Sequence, residues 1–279
     1  MPRRADAHMH LFRPGFVDNL PESCRRVQPD EVTLYRALSE QYGVRQALVV
    51  GYEGEPWASD NNRYLAKLAA SHEWIRPVAY VANPARLDVR LLDDWKEDAF
   101  VGNSLYLLDE HAVIALPLVP DETWAWIDRE HWLVSVNSTG GHLAAWTPVL
   151  ERHPDLRLLV SHLGQPRAVA DAPDAATAQR ELAAVCSLAS YPGVHVKLSG
   201  FYALTEPRYA YPHRAAWPYV EVLLEDFGPS RLVWGSDFSP SLESVSFPQT
   251  FALLAEMPFL DEASRRRIEG ENLLALLEK

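Results

Sequence analysis

Asp6-Ala7-His8-Met9-His10 reads as a short strand that ends in two histidines. Side chains alternate along an extended strand, so Asp6, His8 and His10 are expected on one face, and Ala7, Met9 and Leu11 on the other. The second face suits packing against helices. Two imidazoles at i and i+2 can chelate one ion through neutral nitrogens. A bare His-x-His is also frequent by chance, as a pair of surface or core histidines. Its weight depends on where the other ligand-type residues fall.

Beyond it the chain alternates. A turn-rich loop, Arg13 to Pro29, leads to Asp30 as N-cap of a helix over Glu31–Tyr42 that stops before Gly43. Strands are expected over 46–52, 75–81, 100–107, 132–137, 156–162, 194–199 and 231–237. Helices are expected between them over 62–71, 85–97, 122–130, 142–153, 175–190 and 216–226, with two closing helices over 247–256 and 262–278. Eight strands alternating with helices, without linker or low-complexity tract, predict an α/β chain folded as one (β/α)8 TIM barrel domain over residues 1–279. An open doubly wound sheet is the fallback, but no G-x-G-x-x-G or Walker A segment gives that fold nucleotide work.

Composition agrees. The 279 residues are 48% hydrophobic and 23% charged, an ordinary globular profile. Net charge is −12, from 26 Lys and Arg against 38 Asp and Glu, with no basic block, which argues against nucleic acid and anionic membrane as partners. Two cysteines, Cys24 and Cys186, form no C-x-x-C and no disulfide framework. Met1-Pro-Arg-Arg runs straight into Ala-Asp-Ala-His rather than an apolar stretch, so no signal peptide is expected and a cytoplasmic location is the default.

In such a barrel the active groups stand at the C-terminal strand ends. His8 and His10 close the first strand, His162 the sixth and Asp237 the eighth. Alternation aligns His162 with Leu158 and Val160, and Asp237 with Val233 and Gly235, as barrel-facing positions. Taken singly, His162 could be a hydrogen-bonded core histidine and Asp237 a helix N-cap; together they define a shared site. On the seventh strand Val194, Val196 and Leu198 face the helices, leaving His195, Lys197 and Ser199 toward the lumen. A buried ammonium needs a partner, so Lys197 either pairs with Asp6 or another carboxylate, or serves catalysis. His195, near the strand start, is read as structural. His72, His111, His131, His153 and His213 are read as surface residues, and His142 as a pocket candidate beside Asn137 or Ser138. Trp57, Tyr106, Phe201, Tyr202 and Phe238 could form an apolar wall, and Arg13, Arg63, Arg208 and Arg214 could bind an anion.

Asp-Ala-His-Met-His, Val-Ser-His-Leu-Gly-Gln-Pro, Val-Lys-Leu-Ser-Gly and Val-Trp-Gly-Ser-Asp-Phe, in this order, resemble the amidohydrolase superfamily. The likeness is to the amidohydrolase-related branch with the sugar lactonases and 2-pyrone-4,6-dicarboxylate lactonase, and extends from residue 5 to Glu271-Asn-Leu. It implies a distorted (β/α)8 barrel in which His8, His10, His162 and Asp237 hold one divalent ion, usually zinc, although some lactonases of the branch work without metal. Neither a bridging lysine nor the second strand-end histidine of two-metal relatives is found. The implied activity is opening of a lactone by water that the metal or Asp237 activates, with His162 and Lys197 also catalytic; the substrate is a small molecule, a lactone or carboxylate. A decarboxylase on the same scaffold is the rival, and a non-catalytic ligand-binding barrel the rival of another class. The aromatic-rich loops make a homodimer reasonable.

Overall fold

The computed structural model describes residues 3–13 and 30–278; most of the expected Arg13–Pro29 loop, and Cys24, lie outside them. Eight parallel strands form one sheet in sequential order: β1 (Arg4–Met9), β2 (Val44–Val50), β3 (Ile75–Val81), β4 (Gly102–Leu107), β5 (Leu133–Ser138), β6 (Leu158–Val160), β7 (Val194–Leu198) and β8 (Leu232–Trp234). The ring closes just beyond β8: His8 C=O accepts from Asp237 N–H at 2.8 Å, and Phe238 C=O accepts from His10 N–H. The chain is a (β/α)8 barrel whose seam runs through the residues that the sequence marks as a site.

The helices are α1 (Glu31–Tyr42), α2 (Asn61–Ala69), α3 (Val89–Glu97), α4 (Glu110–Ala115), α5 (Asp121–Arg129), α6 (Thr147–Arg152), α7 (Ala175–Cys186), α8 (Trp217–Phe227), α9 (Gln249–Glu256), α10 (Glu262–Arg266) and α11 (Asn272–Leu277). α1 has the expected bounds, because Asp30 caps Val32 N and Thr33 N and Gly43 supplies the left-handed C-terminus at φ 75°. The helix expected over 142–153 begins only at Thr147, where Pro148 occupies the first turn, and 140–146 winds as a 3₁₀ segment instead. The last expected helix is broken by a π turn over Arg267–Glu271, where Gly270 lies so close to Arg3 that a Cβ would stand 2.1 Å from its carbonyl oxygen.

Two apolar layers hold the barrel. Strand residues of one parity, such as Val134, Val136, Leu158, Val160, Val194, Val196 and Leu198, pack outward against the helices. Those of the other parity, Leu48, Val78, Leu133, Leu159 and Val233 with Ala5 and Ala7, fill the interior, where Leu273 of α11 joins them. Among the described residues, no helix is long and apolar enough to cross a membrane.

Candidate active site

The alternation expected over Asp6–His10 fails, and the site depends on that failure. Asp6 pairs with Ala47 and Met9 with Val49, so β1 carries one residue more than β2 between these pairs. Such a bulge re-aims side chains. Ala5 and Ala7 therefore face the interior and Met9 the helices, while His8 and His10 both reach the C-terminal mouth of the barrel. Asp6 is turned away from them, which corrects the expectation of a shared face. Its buried carboxylate accepts from Tyr35 Oη (2.9 Å), Ser236 N (2.9 Å), Ser236 Oγ and His8 N (3.1 Å). Asp6 thus ties β1 to α1 and to the segment after β8.

His162 also arrives by an unexpected route. Leu158 and Val160 pack outward, so simple alternation would send His162 outward too. β6 instead ends at Val160, and His162 takes φ 52°, followed by Leu163 at 58° and Gln165 at 52°. This left-handed run turns the imidazole into the mouth, where its Nδ1 meets Ser199 Oγ at 3.0 Å. Gly200 lies under the ring: a Cβ there would stand 2.5 Å from His162 Nδ1. Val233 faces the interior, as the alignment of Asp237 with it requires, and Asp237 itself adopts φ 54°. Gly235 fits beneath His8, since a Cβ would come within 2.7 Å of His8 Cβ.

The four side chains converge. His8 Nε2 and His10 Nε2 are 3.2 Å apart, and Asp237 Oδ1 is 3.7 Å from each. His8, His162 and Asp237 each offer a ligand atom, all within 4.8 Å of one another. A tetrahedral ion bound at roughly 2.0–2.1 Å separates neighbouring donors by roughly 3.3 Å. His8, His162 and Asp237 could share a single ion, with His10 beside them at 3.2 Å from His8 and 3.7 Å from Asp237. Charge fits as well, because burial lowers the pKa of all three imidazoles, His162 to about 4, so they are neutral donors. His10 Nδ1 is 2.7 Å from the Val50 carbonyl, which can only accept, so the Nδ1 proton is fixed and Nε2 keeps its lone pair.

Burial pushes the Asp237 carboxyl up to about 6, against the opposing pull of His10, Tyr202 and Lys197. Lys197, fully buried, has its pKa pushed down to about 7 for the same reason, against the charges of Asp6 and Asp237. The ion pair expected for Lys197 is absent: among the described residues no carboxylate lies within ion-pairing distance of it. Its Nζ meets Ser135 Oγ at 2.6 Å and His8 Nδ1 at 3.2 Å. An ammonium donating to Nδ1 leaves the His8 proton on Nε2, where it bonds His10. With the proton on Nδ1, Ser161 Oγ at 3.3 Å can accept it and Nε2 is free for an ion.

Other expected residues divide. Tyr202, read from sequence only as a wall, donates from its hydroxyl to Asp237 Oδ2 at 2.7 Å. Tyr106 shares a hydrogen bond with Asn137, whose Oδ1 accepts from Gln165 Nε2 at 3.2 Å. Tyr52, Tyr80 and Tyr106 stand with ring centroids 5.3–5.5 Å apart at the ends of β2, β3 and β4, an aromatic wall of which only Tyr106 was anticipated. Phe238 is no wall, since it is fully buried against Tyr35, and Phe201 is buried too. Trp57 packs on Phe12. His142 Nδ1 meets the Leu107 carbonyl at 3.0 Å. His153 and His213 are buried rather than on the surface, bonded to Asp121 and Thr205. His195 is buried at the start of β7, as read. Of the four arginines, Arg63 faces Asp60 and Arg214 stacks on Trp217, while the charge of exposed Arg208 is felt at Tyr202.

A profile of the amidohydrolase family matches residues 5–278. The chain belongs to that family. This amidohydrolase is 34% identical over 308 residues to the L-fucono-1,5-lactonase of Burkholderia ambifaria, covering 98% of this chain and 94% of the relative. It superimposes with a TM-score of 0.79 on an amidohydrolase from Burkholderia multivorans crystallised with bound zinc, at 22% identity and over 99% of each chain. A structure assigned as a probable 2-pyrone-4,6-dicarboxylic acid hydrolase from Acinetobacter baumannii, with citric acid bound, matches at a TM-score of 0.73 and 19% identity. That match covers 99% of this chain and 100% of the other.

Proposed function

We propose that this amidohydrolase is a hydrolase that opens a lactone ring, with Asp237 as the base that activates water. The observation that carries the reading is a buried carboxylate, its pKa raised to about 6, with one oxygen 3.7 Å from two imidazoles at the mouth of the barrel. The 34% identity to a lactonase over nearly the whole chain supports the same reaction class. Asp237 Oδ1 takes a proton from water as the water oxygen bonds to the lactone carbonyl carbon. The ring C–O bond then breaks, and the proton passes from Asp237 to the departing alkoxide, giving a hydroxy acid.

His8, His10, His162 and Asp237 are the residues that would hold a divalent ion, and the nitrogen-rich donor set favours zinc; such an ion supplies polarisation of the carbonyl and a more acidic water. Lys197 is sealed beneath His8, so its effect reaches the pocket through that imidazole rather than through a direct grip on substrate. The substrate is a small molecule whose ring lies against Tyr52, Tyr80 and Tyr106.

The test is a panel of sugar lactones, aromatic lactones and unsaturated carboxylic acids, followed by proton release and by CO2. Proton release without CO2 is expected. CO2 evolution would assign decarboxylation instead, and a protein that turns over no member of the panel would contradict both.

A further inference from the structure

We propose that Tyr202 is a positioning residue that fixes the rotation of the Asp237 carboxylate against the imidazoles, an inference that rests on the role given to Asp237 above. The carboxylate is divided. Oδ2 accepts from the Tyr202 hydroxyl at 2.7 Å, while Oδ1 is the atom 3.7 Å from His8 Nε2 and from His10 Nε2.

The backbone of Asp237 is fixed at φ 54°, by its N–H on the His8 carbonyl at 2.8 Å and its carbonyl on Ser241 N–H at 2.9 Å. The terminal torsion of an aspartate is nevertheless broad and roughly two-fold, so backbone geometry alone does not choose its rotation. A hydrogen bond to one oxygen does. Tyr202 suits this task because a tyrosine side chain is rigid and carries its hydroxyl at the far end of the ring. A phenol is protonated at neutral pH, so the hydroxyl is a donor.

The loop that carries Tyr202 is itself braced. Gly200, at φ 67°, starts a 3₁₀ turn over Phe201–Ala203, and Ala203 N–H returns to the Gly200 carbonyl at 2.9 Å. Thr205 Oγ1 donates to the Phe201 carbonyl at 3.1 Å and meets His213 Nδ1 at 2.7 Å. Since the Thr205 proton is committed, His213 Nδ1–H is the donor in that contact. The brace thus runs from the buried His213 through Thr205 to the residue before Tyr202. With Oδ2 held, the lone pairs of Oδ1 are the ones offered to the reacting water. Without the hydroxyl, the carboxylate plane is free to turn about its terminal torsion and the base loses its aim.

Tyr202→Phe removes only the hydroxyl. The expected result is a kcat lowered about tenfold to hundredfold with KM within about twofold, the pattern of a misaimed group rather than a lost binding contact. In a crystal structure of the variant the Asp237 carboxylate is expected to rotate, carrying Oδ1 out of its position against His8 and His10. In the Asp237→Asn background the same change is expected to have little further effect. An unchanged carboxylate in the variant crystal, or an unchanged kcat, overturns the proposal. A wild-type protein without lactonase activity would sink the proposed reaction instead, and the carboxylate orientation in the Tyr202→Phe crystal would still decide this point.

Discussion

Lys197 Nζ lies 3.2 Å from Nδ1 of His8, the edge of the imidazole opposite the one that faces His10. A fully buried lysine with a hydroxyl and an imidazole for partners and, among the described residues, no carboxylate is poorly explained as a structural ion pair. Stability and activity should therefore separate. Lys197→Met is expected to melt at or above the wild-type temperature, because a desolvated charge is replaced by an apolar side chain of similar length, while kcat/KM falls at least about tenfold. Thermal melts beside steady-state kinetics check this. A variant that is destabilised yet fully active would reverse the assignment.

Gly200 is required by space and by backbone at once. Its φ of 67° is left-handed, and a Cβ would press on His162 Nδ1 at 2.5 Å. Gly200→Ala is expected to lose about 1–2 kcal/mol of stability from the backbone alone. It should also lower turnover by displacing the imidazole, an effect that neighbouring surface substitutions lack. Chemical denaturation and kinetics on the same preparation measure both.

Burial lowers the imidazole pKa of His195 and of His213 to about 4. In the unfolded chain both titrate near 6.5. Between these values the unfolded state binds more protons, so this contribution to stability is fully present above about pH 6.5 and is lost as pH falls toward 4. His213→Gln, remote in sequence from the four converging residues, is expected to show a shallower fall in melting temperature between pH 7 and 4.5 than the wild type. A pH series of thermal melts on both proteins tests the sign; an identical slope would contradict it.

The strand-end positions of His8, His10, His162 and Asp237 were legible because hydrophobic periodicity marks strands, and a barrel places its chemistry at one end of them. The routes by which three of them reach the site were not. The bulge in β1 and the left-handed run at His162 come from register against neighbouring strands, which alternation within one strand does not encode. Asp6 shows the consequence, as a residue that alternation puts beside the histidines and the bulge sends to Tyr35 and Ser236. Tyr202 illustrates a different gap. Its loop position gave no sign that the hydroxyl, rather than the ring, would face the site, since that depends on a contact across 35 positions of sequence. His213 departs from the surface expectation because loops are usually solvated, whereas this one folds over its own histidine.

If a divalent ion occupies the site, its loss should be seen in stability as well as in rate, since a ligand held only by the folded state stabilises it. Dialysis against a chelator is expected to lower the melting temperature of the wild type, and zinc to restore it. His10→Ala, which removes one of the two nitrogens 3.2 Å apart, is expected to blunt both effects. Elemental analysis of the same samples should give about one ion per chain before chelation.

Catalysis by Asp237 is the central claim, and kcat/KM of Asp237→Asn on the best lactone of the panel tests it most directly. A folded variant, with wild-type circular dichroism and a rate reduced by about 10³-fold or more, is the predicted result. An Asp237→Asn protein that opens the same lactone at close to the wild-type rate would contradict the account.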